Sequence, residues 1–138
     1  MRAGELVFVD TGAWIALALT RDPLHPRASA IWALLASADA RLHTSVSIVV
    51  ETFTFLDRNT TRNVALAWKD SLKVVSRLQV LPCTSRDLEH AWKYFERSDF
   101  HKLSAVDALS FVLMAQQRIR VAFAFDGHFA TAGFRMVG

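Results

Sequence analysis

A single cysteine, Cys83, in a chain of 138 residues excludes an internal disulfide and with it a disulfide-stapled extracellular scaffold. No Cys/His spacing of the zinc-binding kind is present, so nothing in the cysteine usage points outside the cytoplasm. Glycine and proline are scarce, at five and three residues, and no linker, repeat or low-complexity tail interrupts the chain. Long apolar runs are missing too. None reaches the roughly 18 charge-free residues needed to span a bilayer, and Glu5 and Asp10 break the N-terminal run that a secretion signal requires. The expectation is a soluble, cytoplasmic protein with no membrane partner. What the sequence does have is apolar content: 52% hydrophobic against 21% charged residues supports a real core and argues against extended disorder. The length suits one domain, residues 1–138. Sixteen Lys and Arg against thirteen acids give +3, a balance that permits a polyanionic partner without demonstrating one.

Two apolar runs of strand type each end at an acid. The first, Glu5 to Val9 with its run LVFV, ends at Asp10, and Val121 to Phe125 (VAFAF) ends at Asp126. Continuous apolar runs of this length suit strands covered on both faces, as in a parallel sheet. Further strands are expected at Arg41–Thr44, Leu78–Pro82 and Phe134–Val137. Between them lie helical patterns. Thr11 can cap GAWIALAL; the prolines of Arg21–Pro26 break the chain; Ala28, Ile31, Trp32 and Leu35 share one helical face over Arg27–Ala38. A helix from Thr60 or Thr61 to about Arg77 turns Val64, Trp68, Leu72 and Val75 inward, with Arg62, Lys69 and Lys73 on its other side. Thr84 and Asp87 have capping-box spacing before a helix with Leu88, Trp92 and Phe95 on its apolar face. Leu103–Ile119 is a strongly apolar helix capped by Ser104, with Leu103, Val106, Leu109, Val112, Leu113 and Ala115 recurring at three- and four-residue steps. Ser45–Arg58 fits a strand by its Val, Ile, Thr and Phe content and a helix by Val46, Val49, Phe53 and Leu56. The alternation of strands and helices predicts an α/β fold with a parallel sheet.

Each acid has an ordinary structural explanation. Asp107 is spaced to complete a capping box with Ser104, Asp126 opens an Asp-Gly turn, Asp10 can cap a helix, and Glu51 can be a solvated acid. Together they point elsewhere, because two strand ends and two apolar helices each bring a carboxylate toward what can be one pocket, beyond the carboxyl ends of the strands. Gathered carboxylates repel one another unless a cation neutralises them. An oxygen-only donor set suits Mg²⁺ or Mn²⁺, ions that bridge to phosphate oxygens and support phosphodiester chemistry.

VFVDTGAWIAL, VVETFTFL, LSAVDALSFVLM and FAFDGHF resemble, in order and spacing, the successive motifs of PIN-domain ribonucleases, and the likeness covers nearly the whole chain. The resemblance implies a three-layer α/β/α sandwich with a five-stranded parallel sheet, and it makes Ser45–Arg58 a helix. It implies metal-site and catalytic roles for Asp10, Glu51, Asp107 and Asp126, with Mg²⁺ or Mn²⁺ as cofactor and RNA as substrate. Thr11 and Ser104 match hydroxyl positions that support the site. Many relatives carry a further acid two residues after the last motif Asp, where this chain has His128. His128 can hydrogen-bond a phosphate or pack against the turn. Toxins of toxin–antitoxin pairs in this family are of this size, usually form homodimers and are inhibited by a small antitoxin protein. The basic stripe Arg62, Lys69 and Lys73 can contact RNA or a partner, or be solvated surface.

Other signatures are absent. An aspartyl-phosphate phosphatase would have an acid where Gly12 stands, and no Walker loop, dinucleotide Gly fingerprint or HExxH motif occurs. Two readings besides the metal-dependent endoribonuclease stay open at this level: a non-catalytic module of the same fold that binds RNA or a protein, and a metal-dependent phosphatase acting on small substrates.

Overall fold

The computed structural model describes residues 1–137. Its centre is β1 (Leu6–Val9), where Val7, Phe8 and Val9 are all fully buried. Three consecutive buried residues on a strand mean that both faces are covered. β2 (Arg41–Ser45) and β4 (Val121–Phe123) pair with β1 on either side, and β3 (Leu78–Leu81) and β5 (Arg135–Val137) form the edges. All four pairings are parallel and the order is β3-β2-β1-β4-β5. This is the five-stranded sheet of the expected three-layer sandwich.

The order fixes where a ligand can bind. From β1 the chain runs outward to β2 and β3, then crosses back to β4 and β5, so strand progression reverses between β1 and β4. Adjacent strands whose connections leave in opposite directions open a crevice beyond their carboxyl ends. Val9 pairs with Phe123 there, and the Asp10 amide donates to the Phe123 carbonyl at 3.0 Å. Asp10 and Asp126 therefore leave the sheet on either side of that crevice.

Helices α1 (Thr11–Ala18), α2 (His25–Ser37), α3 (Val46–Asn59) and α4 (Arg62–Ser71) pack on one another, while α5 (Ser85–Ala91), α6 (Ala105–Gln117) and α7 (His128–Thr131) form a second group. For strands that progress outward from β1 in both directions, the right-handed rule for parallel crossovers calls for the two groups on opposite faces. Under the first group, Trp14 meets the rings of Trp32 and Trp68 at 5.7 and 6.0 Å, and its indole N–H donates to Thr44 Oγ1 at 3.2 Å. Under the second, Phe111 is ringed by Tyr94, Phe100, Phe129 and Phe134 at 5.0 to 5.9 Å.

Several local expectations shift. Thr11 does not cap α1; Asp10 occupies the N-cap position, in extended conformation, without a side-chain cap bond. Helix α2 starts at His25, ahead of the expected Arg27, because Pro26 falls in its first turn, where a missing N–H costs nothing. Helix α3 is a helix, capped by Ser45, but its buried residues are Ile48, Thr52 and Leu56, and Val46 and Val50 face outward. After α4 and α5 the chain tightens into 3₁₀ turns, Leu72–Val74 and Trp92–Glu96. That change of period rotates Trp92 and Phe95 to 43% and 45% exposure and buries Ala91 and Tyr94 in their stead. In α6, Ala115 is exposed while Phe111 and Met114 are buried.

The Thr84–Asp87 capping box forms with both reciprocal bonds, and Gln116 Nε2 also donates to Asp87 Oδ1 at 2.8 Å, tying α5 to α6. The Thr84 amide first, then Gln116, holds the Asp87 carboxyl below its ordinary range. A depressed carboxyl pKa contributes stability above the unfolded-state value that is lost as pH falls through the folded one. Asp87→Ala is expected to cost about 1 to 2 kcal/mol in urea unfolding at pH 7. The loss should shrink in acid; a cost that is the same at pH 3 and pH 7 would assign it to packing.

Candidate metal and active site

Four elements bring carboxylates to this end of the sheet; Asp107 and Asp126, with His128, have ligand atoms within 4.8 Å of one another, and Asp10 and Glu51 act on them through charge. Asp10 follows β1, Glu51 lies in α3, Asp107 in the first turn of α6, and Asp126 three residues beyond β4. The strand ends before the VAFAF run does: Ala124 and Phe125 carry the chain past Phe123 before the acid appears. Asp10 feels the charges of all three other acids, and Asp107 those of Asp126 and Glu51.

Asp10 is the most enclosed, at 5% exposure, and its Oδ1 is buried without a hydrogen-bond partner among the described residues. Burial, then the Asp107 charge, with Glu51 and Asp126 adding, pushes its pKa up to about 8 against the opposing pull of the Thr11 amide. Asp107 is also buried, and burial followed by the Asp126 and Glu51 charges lifts its pKa to about 6, with His128 pulling it down. Its amide donates to Ser104 Oγ at 3.0 Å, but its carboxylate makes no reciprocal bond that would complete a capping box. Ser104 therefore fixes the start of α6 and leaves the Asp107 side chain for the pocket. Thr11 donates to Glu51 Oε1 at 2.5 Å, holding α3 to the start of α1. Asp126 is exposed, and its Oδ1 accepts the His128 amide at 2.9 Å, which is the Asp-Gly turn anticipated from the sequence. The turn and the pocket share that side chain.

The His128 ring lies between Asp126 and Asp107, with Nδ1 3.1 Å from Asp126 Oδ1 and 3.5 Å from Asp107 Oδ2. Nε2 reaches the His101 carbonyl at 2.7 Å, and Phe100 packs edge-on against the ring at 5.9 Å. Burial lowers the His128 pKa, but the His101 carbonyl and the two carboxylates outweigh it and the net direction is upward. The segment 97–102 that supplies these contacts was invisible to sequence reasoning. It has no helical or strand period, and Arg97, stacked 4.7 Å over Phe100 and paired with Asp99, gives no local sign that the segment packs against His128.

The stripe on α4 is more neutral than its sequence suggests. Arg62 is ion-paired with Asp57, Lys69 Nζ lies 2.7 Å from Asp70, and Lys73 belongs to the following 3₁₀ turn.

A divalent cation fits these residues. Asp10 Oδ1 is a buried carboxyl oxygen that no donor among the described residues satisfies, in a pocket whose other carboxylates make ionising it still more costly. An ion with oxygen preference removes both costs together.

Parallel-sheet proteins with carboxylates gathered at the switch point form a class suited to cation-assisted phosphate chemistry. The chain belongs to the PIN domain family, whose match spans residues 7–135. It is 36% identical over 129 residues to the 23S rRNA-specific endonuclease VapC20 of Mycobacterium tuberculosis, covering 94% of this chain and 95% of that one. The crystal structure of that Sarcin-Ricin loop cleaving toxin superposes with a TM-score of 0.81 over 93% of this chain and 95% of the other. Two more distant structures share the fold: DNA-bound VapBC2 from Rickettsia felis, with TM-score 0.71, 10% identity and coverage of 95% and 96%, and DNA-bound VapBC from Salmonella typhimurium, with 0.67, 18%, and 99% and 97%.

Proposed function

We propose that this chain is a metal-dependent endoribonuclease that hydrolyses RNA phosphodiester bonds and acts as the toxin of a toxin–antitoxin pair. The observation that carries the reading is the unsatisfied Asp10 oxygen among three further acids at the switch point. Asp10, Glu51, Asp107 and Asp126 would hold Mg²⁺ or Mn²⁺. When bound, such an ion supplies positive charge that offsets charge developing on the phosphate and the leaving oxygen, and it acidifies nearby water. The protein's own groups do the rest. Ser104 and the α6 start orient Asp107, and the Thr11 hydroxyl occupies Glu51 Oε1 and leaves Oε2 free to face the ion. Water adds to phosphorus and gives up a proton to a site carboxylate as the bond to the departing ribose oxygen breaks, and that oxygen takes up a proton from solvent.

The relative named for 23S rRNA and the Sarcin-Ricin loop supports a structured ribosomal RNA loop as the substrate to test first. The VapBC relatives support a small antitoxin as partner, and family habit supports a homodimer and a cytoplasmic setting for one domain spanning residues 1–138. Among the described residues no helix is long and apolar enough to cross a membrane.

The test pairs RNA cleavage with stability. Wild type is expected to cut ribosomal RNA or a hairpin oligonucleotide with Mg²⁺ or Mn²⁺ and to stop in EDTA. Asp107→Asn should not cut. It should be at least as stable as wild type without metal near pH 7, since it removes a carboxyl whose pKa is raised to about 6. Mn²⁺ should raise the Tm of wild type only, because a ligand stabilises the state it binds. Equal cutting by both proteins would trace the activity to a contaminant.

A further inference from the structure

We propose that His128 Nδ1 is a nitrogen ligand of the cation site, forming with Asp107 and Asp126 a mixed imidazole–carboxylate set that favours Mn²⁺ over Mg²⁺. The inference rests on the ribonuclease reading only in sharing its site. It begins with the other ring nitrogen. A backbone carbonyl can only accept, so at 2.7 Å from the His101 oxygen Nε2 must carry a hydrogen. In the neutral ring the lone pair is then on Nδ1, which has no hydrogen-bond partner and points between two carboxylates. At 3.1 Å from a carboxylate oxygen Nδ1 needs a positive centre between them: a proton in the metal-free protein, or a cation that displaces that proton and takes the lone pair. One donor atom from each of Asp107, Asp126 and His128 fits within a span of 4.8 Å.

The ring is also built in. Its N–H on a carbonyl is the arrangement that fixes tautomer and orientation in metal-ligating histidines. The Phe100 ring packs on one side, and the His128 amide is anchored on Asp126 Oδ1, so ring and carboxylate are held as one unit. Asp10 is the independent sign that the pocket takes a cation, because its buried Oδ1 lacks any donor. Imidazole is a better donor to first-row transition ions than to Mg²⁺, which prefers oxygen and retains its water. His128 thus shifts the pocket's preference toward Mn²⁺.

Pulsed EPR of the Mn²⁺-loaded full chain reads this directly. Wild type should show ¹⁴N modulation from a coordinated imidazole, and His128→Ala should lose it. By calorimetry, His128→Ala should weaken Mn²⁺ binding by at least about 10-fold and change Mg²⁺ binding far less. His128→Asn, which retains a polar side chain on the turn, should behave likewise and guards against simple misfolding. Bound Mn²⁺ without ¹⁴N modulation in wild type overturns the assignment, as does equal weakening of both ions, which would make the ring only a structural prop. The two readings fail separately. Nitrogen-coordinated Mn²⁺ with no RNA cleavage would sink the ribonuclease reading alone, and metal-dependent cleavage without a nitrogen signal would sink this one alone.

Discussion

Asp10→Asn is expected to abolish RNA cleavage and yet raise the melting temperature of the metal-free protein at pH 8. The two effects have one cause. Asp10 is held in the fold with its pKa raised from 3.8 to about 8, chiefly by burial and then by Asp107. A raised carboxyl pKa means that the folded state binds a proton more tightly than the unfolded chain. Its contribution is fully present below about pH 4 and is lost as pH rises toward 8. Every tenfold in proton affinity is worth about 1.4 kcal/mol, so even half of this rise removes about 3 kcal/mol, or roughly 10 °C in Tm. Asp107 adds a smaller loss between its ordinary value and about 6. Metal-free wild type should therefore melt lower at pH 8 than at pH 5, while Asp10→Asn shows a flatter profile. Saturating Mn²⁺ should restore wild type at pH 8 and leave the variant unmoved. Cleavage should fall by more than about 100-fold, the loss that changes merely behind a metal ligand can cause. A variant that is less stable than wild type at pH 8, with an unchanged pH profile, would show that the pocket accommodates the Asp10 charge without a cation.

What could be read from the sequence follows the range of the forces involved. β1 and β4 are legible because burial on both faces writes an unbroken apolar run, and Asp10 and Asp126 are conspicuous as the charges that end those runs. Ser104 and the Thr84–Asp87 box are legible because capping is a contact between residues three apart. Glu51 is not legible in isolation. Its carboxylate is held by Thr11, forty positions away, and its helix buries Thr52, a polar residue, on the face that a hydrophobic pattern would assign to Val49 or Phe53. Trp92 and Phe95 mislead for a different reason, since a 3₁₀ turn cannot be told from an α-helical one by composition. Arg118 closes α6 in the left-handed conformation without the glycine or asparagine that would signal it. The family resemblance was needed where tertiary contact overrode local preference, as in α3, and no local signal placed His101 or Phe100 against His128.

Phe111→Ala is expected to be the most destabilising single change beneath the site, at about 3 to 5 kcal/mol. Phe111 is fully buried one helical turn beyond Asp107 on α6. Its ring meets Tyr94 at 5.2 Å, Phe129 at 5.0 Å, Phe100 at 5.8 Å and Phe134 at 5.9 Å, so it joins the 3₁₀ turn after α5, the segment before α6, helix α7 and the approach to β5. These groups come from separate elements, and collapse into the vacated space would have to move several at once, which keeps the cavity open and the cost high. Phe129 neighbours His128, and Phe100 packs directly against the His128 ring. The same change should therefore also weaken stabilisation by Mn²⁺ although Phe111 touches no carboxylate. Phe111→Leu, which fills most of the space, should cost less and preserve more of the Mn²⁺ response. Urea unfolding of the three proteins with EDTA and with millimolar Mn²⁺ gives both quantities. A loss below about 1 kcal/mol for Phe111→Ala would mean that the cluster relaxes freely, and an unchanged Mn²⁺ response would mean that α6 and α7 hold the site without it.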